Sequence, residues 1–264
     1  MKNSEPNIAR HLKQFLAEYL TQQRGCSLHT VWSYRDALCS LLRHLQETHG
    51  VAPNRIKVTD LSADNVMAFL NYLQKSRNNS DETRNLRLSA IRTFAMYLRW
   101  KEPTLTSDLE GLLAIPTKRT SHPVLDFLSR DEMEAILEAP DGNTWSGKRD
   151  RALFAAMYNT GARVSEIVGA LVSDVTLNPG GKFHFRGKGR KERVLPLWKC
   201  TVKILSKWIT TNHLCHDQPL FPNARGAAMT RSGVEKRLQE AVRKAGDACP
   251  SIKKKRVSPH TLRH

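Results

Sequence analysis

The sequence predicts a mainly α-helical chain with one small antiparallel β-sheet, divided into a helical domain over 1–105, a connector over 106–122 and an α+β domain over 123–264. Three observations lead there. Apolar residues recur at helical spacing through residues 7–100. That period is lost across residues 101–122, which contain Pro103 and Pro116. Beyond it, short β-like runs are split by N-P-G-G and G-K-G-R-K, with helical patterns on either side. A length of 264 residues allows two cores of ordinary size.

The first helix is drawn by Ile8, Leu12, Phe15, Leu16, Tyr19 and Leu20 on one face. Gly25 breaks the pattern, and Ser27 is placed to cap a second helix carrying Val31, Tyr34, Leu38, Leu41, Leu42 and Leu45. It stops near Gly50, ahead of the turn-forming Pro53. Ser62 opens a third helix with Val66, Phe69, Leu70 and Leu73. The polar stretch S-R-N-N-S-D separates it from a fourth, whose inward stripe is Leu88, Ile91, Phe94, Ala95 and Leu98. Amphipathic helices of this kind close into a four-helix bundle. Residues 101–122 then read as a connector with room for one short helix.

The second domain opens with L-S-R-D-E-M-E-A-I-L, where Ser129 and Glu132 are spaced as a capping box. A helix through R-D-R-A-L-F-A-A-M-Y follows. The runs V-T-L, K-F-H-F and R-V-L-P-L then read as an antiparallel sheet. Helices are expected at about 199–211 and 232–245, the second opened by Ser232 with Glu235. The final K-K-K-R-V-S-P-H-T-L-R-H reads as a basic loop entering a helix at Pro259.

Lysine and arginine number 42 against 25 acids, a formal charge of +17. A folded chain with that surplus suits a polyanion, most commonly nucleic acid, and a nonspecific basic surface is the plain alternative. The scattered Cys26, Cys39, Cys200, Cys215 and Cys249 form no C-x-x-C pair, which speaks against disulfides or structural zinc and for a reducing cytoplasm. His213, Cys215 and His216 lack further ligands at sensible spacing, so no metal is expected. No apolar run approaches bilayer thickness and M-K-N-S-E-P-N has no signal-peptide core, so no membrane partner is expected.

The polar face of the fourth helix holds Arg84, Asn85, Arg87, Ser89, Arg92 and Arg99. A solvated charged face explains most such sets, but surface helices usually mix signs and this one is almost all positive. Arg84, Asn85, Arg87 and Arg92 are therefore the expected DNA contacts.

Three segments carry chemistry. In T-G-A-R-V-S-E, Gly161 permits a sharp turn that pushes Arg163 outward, and Glu166 can hold its guanidinium. By itself this is also an ordinary surface pair at i, i+3. In R-G-K-G-R-K-E-R, glycines flank Lys188, and Arg190 and Lys191 follow. This is either a hairpin tip that lays cations over a phosphate or a plain basic β-turn. In S-P-H-T-L-R-H, His260 and Arg263 share a face at i, i+3, a pairing that handles phosphate but also arises by chance.

In this order the segments resemble the tyrosine recombinases, the phage integrase and Xer-type family. That family carries T-G-x-R-x-S-E, then a lysine in a G-K-G-x-K-x-R hairpin, then H-x-x-R, behind a helical core-binding (SAM-like) domain. The last helix of that domain often reads like N-L-R-L-S-A-I-R at 85–92. The resemblance implies that Arg163 and Arg263 clamp the scissile phosphate and that Lys188 protonates the leaving 5′-oxygen. It further implies that His260 assists proton transfer, that Glu166 supports Arg163, and that Arg190 and Lys191 contact DNA. No cofactor is implied, because bond energy is kept in a 3′-phosphotyrosine link. Duplex DNA is the implied partner, with assembly into a tetramer on two sites.

The family's nucleophile is a tyrosine downstream of H-x-x-R, whereas Tyr19, Tyr34, Tyr72, Tyr97 and Tyr158 all precede Arg163. The resemblance thus implies a catalytic domain incomplete at its carboxyl end, which binds DNA without cutting it. Two alternatives stand beside it: a non-catalytic DNA-binding remnant, and a type IB topoisomerase-like relaxing enzyme.

Overall fold

The computed structural model describes residues 8–50, 52, 55–120, 127–178, 180–186 and 192–263. The chain divides into two compact units, Met1–His122 and Pro123–His264.

The first unit is helical. Helix α1 (Ile8–Gln14) runs on as a π-helical segment, Phe15–Gln23, and is followed by α2 (Leu28–His49), α3 (Ala63–Lys75) and α4 (Asp81–Lys101). Ser27, Ser62 and Ser80 each accept a backbone N–H of the first turn, at Thr30, Asn65 and Thr83. Such caps stabilise a helix by about 1 kcal/mol each. Gly50 ends α2 in the left-handed conformation at φ 65°. The apolar stripes meet in one core, where Phe15 packs on Phe94 and Tyr97 with ring centres 5.1 and 5.3 Å away.

Part of the expected connector belongs to this core. Residues Thr106–Ala114 form a fifth helix, α5, whose Leu109 and Leu112, with Ile115 beyond, are buried against α3 and α4. Pro103 and Pro116 sit just outside this helix rather than inside it, so they bound it without breaking it.

The second unit begins with α6 (Arg130–Glu138), α7 (Trp145–Thr160) and α8 (Val164–Val168). The sheet follows, with β1 (Val175–Thr176), β2 (Lys182–Arg186) and β3 (Glu192–Pro196) in the order β1-β2-β3, all antiparallel. Helices α9 (Lys199–Thr211) and α10 (Arg231–Ala248) and the 3-10 turns Pro250–Lys254 and Thr261–Arg263 complete it. Helix α7 is the spine: Ala152 through Met157 are all buried, as a helix surrounded on every side requires.

The Ser129–Glu132 capping box forms as expected. The one expected at Ser232 and Glu235 does not. Helix α10 starts earlier, and Thr230 accepts the Gly233 N–H at 3.0 Å. No described helix is long and apolar enough to cross a membrane.

Candidate active site

Each candidate side chain is aimed by its neighbours in sequence. Gly161 ends α7 at φ 57°, and Ala162 is buried, so the chain turns sharply and leaves Arg163 outward as the N-cap of α8. Glu166 fixes that turn: its carboxylate accepts the Arg163 backbone N–H at 2.7 Å and Arg163 Nη1 at 3.1 Å.

Further along, Thr261 and Leu262 are buried and anchor the S-P-H-T-L-R segment in the core. The hydroxyl of Thr261 accepts the Ser258 backbone N–H at 3.1 Å, and Ser258 Oγ accepts the His260 N–H at 3.2 Å. With the middle of the segment held inside, His260 and Arg263 face out. His260 immediately precedes the 3-10 turn Thr261–Arg263, and its carbonyl accepts the Arg263 N–H at 3.1 Å, so the two lie three residues apart at near-eclipsed positions.

These elements meet along one open cleft of about 440 Å³. Arg163, His260 and Arg263 line it together, with Ser258 and Pro259 beside them. Helix α10 adds Arg231 and Glu235, neither of which was expected here. Glu235 had been read as half of a capping box with Ser232, and Arg231 was not singled out. Among the described residues the lining thus carries Arg163, Arg231 and Arg263 against the carboxylate of Glu235. Its balance favours an anion.

Glu166 lies behind Arg163, its side chain 6% exposed. The fork of Arg193 on β3 donates to both of its oxygens, Nη1 to Oε1 at 2.9 Å and Nη2 to Oε2 at 2.8 Å. Hydrogen bonds from Arg193 outweigh burial and, with those from Arg163, hold the Glu166 pKa down to about 2. Arg193 ends the quoted G-K-G-R-K-E-R run but was not singled out.

Lys188, Arg190 and Lys191 lie outside the described residues. Tyr158, the tyrosine of the second unit, is not among the residues lining the cleft. Its ring meets Trp198 edge-on, 5.4 Å between centres.

The basic face of α4 requires correction. Arg84 is 2% exposed and donates Nη1 to the carbonyl of Pro116 at 3.2 Å. Asn85 pairs with the Lys118 backbone in both directions, at 2.8 and 3.0 Å, and Arg92 donates to the carbonyl of Ile115. These side chains strap down residues 115–118, whose carbonyls lack helical partners after α5 ends. Arg87 stays half-buried, and Ser89 and Arg99 are exposed.

Residues 126–264 match the Phage integrase family, and residues 12–102 match the Phage integrase, N-terminal SAM-like domain. The chain is 37% identical over 258 residues to the putative integrase/recombinase y4rC of Sinorhizobium fredii, covering 98% of this chain and 78% of that protein. With tyrosine recombinase XerD of Oceanobacillus iheyensis it shares 33% identity over 253 residues, 93% of this chain and 80% of that one. Two solved structures share the fold. One is XerH recombinase bound to palindromic difH substrate, with a TM-score of 0.70 at 22% identity over 91% of this chain and 68% of that one. The other is a lambda integrase tetramer bound to a Holliday junction, with a TM-score of 0.69 at 15% identity over 99% and 72%. With both of its units matched and relatives above 30% identity along nearly its whole length, the chain belongs to the phage integrase family of tyrosine recombinases.

Proposed function

We propose that this chain binds duplex DNA and grips one phosphodiester in the cleft between Arg163 and Arg263, as the phosphate-holding part of a site-specific strand exchange. One observation carries this: Arg163, His260 and Arg263, from distant segments, line the same open, cation-rich cleft. Planar guanidinium forks match the two non-bridging phosphate oxygens. They also balance the charge that builds when phosphorus becomes pentavalent. His260 hydrogen-bonds the phosphate and assists proton transfer, and Lys188 serves as the acid for the leaving 5′-oxygen.

In the complete reaction a tyrosine oxygen bonds to phosphorus as the P–O5′ bond breaks, and the proton goes to the departing oxygen. A 5′-hydroxyl later attacks and reverses the step, so no external energy source is needed. Tyr158 packs on Trp198 and is not a lining residue of the cleft. In this reading the cleft supplies the grip, and Tyr158 is not the nucleophile. Support for DNA as the ligand comes from structural neighbours solved as recombinases bound to palindromic difH substrate and to a Holliday junction.

The test starts from duplexes selected by this protein out of a random pool. Enrichment of one sequence is expected, and equal retention of all sequences would overturn site-specific binding. On the selected duplex, ethylation of one phosphate per strand should block the wild type. Arg163→Ala should no longer sense that ethyl group, while losing less than about tenfold in affinity, because many phosphate contacts share the binding. An unchanged interference pattern would remove Arg163 from the phosphate. A covalent adduct on a nicked duplex that vanished with Tyr158→Phe would overturn the assignment of grip alone.

A further inference from the structure

Strand alternation makes Arg193 conspicuous. Directly opposed residues of an antiparallel pair share a face. Arg193 opposes Phe185, and Leu195 opposes Phe183, so all four point to the same side of the sheet. Phe183 and Phe185 are buried in the core of the second unit, with Leu195 packed against it. The opposite face is the open one, where Val194 is exposed. A cation on the core side is partly desolvated, the Arg193 side chain being 33% exposed, and pairing offsets that cost.

The pairing is specific in shape. The guanidinium of Arg193 lies over the Phe185 ring, 5.0 Å from its centre, and its fork closes on both oxygens of Glu166. A stacked, bidentate site of this kind suits arginine and not lysine. The same carboxylate holds the backbone N–H and Nη1 of Arg163. One acid is thus shared by an arginine of the cleft and an arginine of the hairpin strand. Arg163 makes a single side-chain hydrogen bond to Glu166, and its side chain stays 54% exposed.

We propose that Arg193 is a positioning residue for Arg163. By filling the fork-facing edge of Glu166 it fixes the carboxylate that orients Arg163, and it leaves the remaining guanidinium N–H groups of Arg163 to an incoming anionic oxygen. Two guanidinium groups on one carboxylate also retain a net positive charge, so the cleft is not neutralised by its own support. Because Arg193 lies on β3, next to the G-K-G-R-K run, it couples that strand to the turn bearing Arg163. This inference rests on the reading of Arg163 as a phosphate ligand.

The test follows the Nε–Hε NMR signal of Arg163, assigned by its loss in Arg163→Lys, during titration with orthophosphate and then with the selected duplex. In the wild type, one sharp signal should shift on titration. In Arg193→Ala and Arg193→Lys the signal should move or broaden before any ligand is added. Both variants should bind orthophosphate about tenfold more weakly, in the range of coupling between residues of one network. The lysine variant keeps the charge and so separates loss of the fork from loss of electrostatics. Its near-normal behaviour would reduce Arg193 to a point charge and overturn the positioning role. Should Arg193→Ala fail to fold, Arg193→Lys alone decides. A wild-type signal indifferent to phosphate and duplex would defeat the reading of Arg163, and this inference with it. A responsive signal that is identical in both Arg193 variants would defeat only the coupling.

Discussion

Arg263 rests on Gly161: a methyl group placed on that glycine would lie 3.5 Å from Arg263 Cγ, an ordinary contact distance. The end of α7 thus seats one cleft arginine while its turn aims a second, Arg163. Gly161 also holds φ at 57°, where a side chain costs about 1–2 kcal/mol. Gly161→Ala is expected to lose about that much stability in urea unfolding, while the folded fraction binds duplex nearly as the wild type does. A large loss of affinity would mean that the Arg263 contact leaves no room for even a methyl group.

Acid should weaken the second unit through two carboxylates. Burial alone would raise the Glu132 pKa, but hydrogen bonds from Lys255, Ser251 and the Ser129 N–H override it and hold it at about 2, as Arg193 and Arg163 do for Glu166. Both folded values lie below the ordinary 4.5, so the stabilisation is full above pH 4.5 and is lost as pH falls from there toward 2. Urea midpoints measured from pH 7 down to pH 3 should therefore drop more steeply in the wild type than in Glu132→Gln/Glu166→Gln. Parallel curves would contradict the assignment.

Arg84 and Arg87 should behave oppositely although they lie on the same helix. Arg84→Ala removes a buried donor from the Pro116 carbonyl and is expected to cost about 1–3 kcal/mol of stability. Arg87 is half-buried, and Arg87→Ala should change stability by less, about 0.5 kcal/mol. Only the second should directly weaken DNA binding by the folded protein. Thermal melts paired with fluorescence anisotropy on a duplex check both halves. Weakened binding with unchanged melting in Arg84→Ala would restore it to the interface.

Helix α10 offers a clean comparison of caps. Thr230→Ala should lose about 1 kcal/mol, because Thr230 accepts the Gly233 N–H. Ser232→Ala, two residues into the first turn, should stay within about 0.5 kcal/mol. Chemical denaturation of the two variants side by side decides, and equal losses would refute the assigned start.

Much of this architecture can be read from the chain. The caps at Ser27 and Ser62 and the stripes of α2, α3 and α4 are local patterns, and local hydrogen bonding and burial realise them as written; the Ser80 cap was not read. Arg163, His260 and Arg263 stood out through the glycine turn, the i, i+3 spacing and the motif order, and the cleft lining brings the three together while Ala162, Thr261 and Leu262 are buried. Arg84, Asn85 and Arg92 on α4 were misread because periodicity tells which residues leave the core of a bundle, not whether another stretch of backbone lies over them. Arg84 and Arg92 look solvent-facing until Ile115 and Pro116 are laid across them. Arg193 escaped notice for a related reason. A charged residue in a short strand reads as outward, and only the register with Phe185 reveals its direction. The short helix expected between the flanking prolines is there as α5, but its place in the first core, through Leu109 and Leu112, was not read.

The burial of Arg84 changes what the formal charge of +17 means for the ionic atmosphere around DNA. A docking protein expels condensed cations from the duplex only where its own cations reach phosphate oxygens. An arginine held on a main-chain carbonyl inside its own fold expels none. The electrolyte sensitivity of association will therefore fall short of what a tally of basic residues on that helix implies, and more of the complex should survive at high ionic strength than composition alone would forecast.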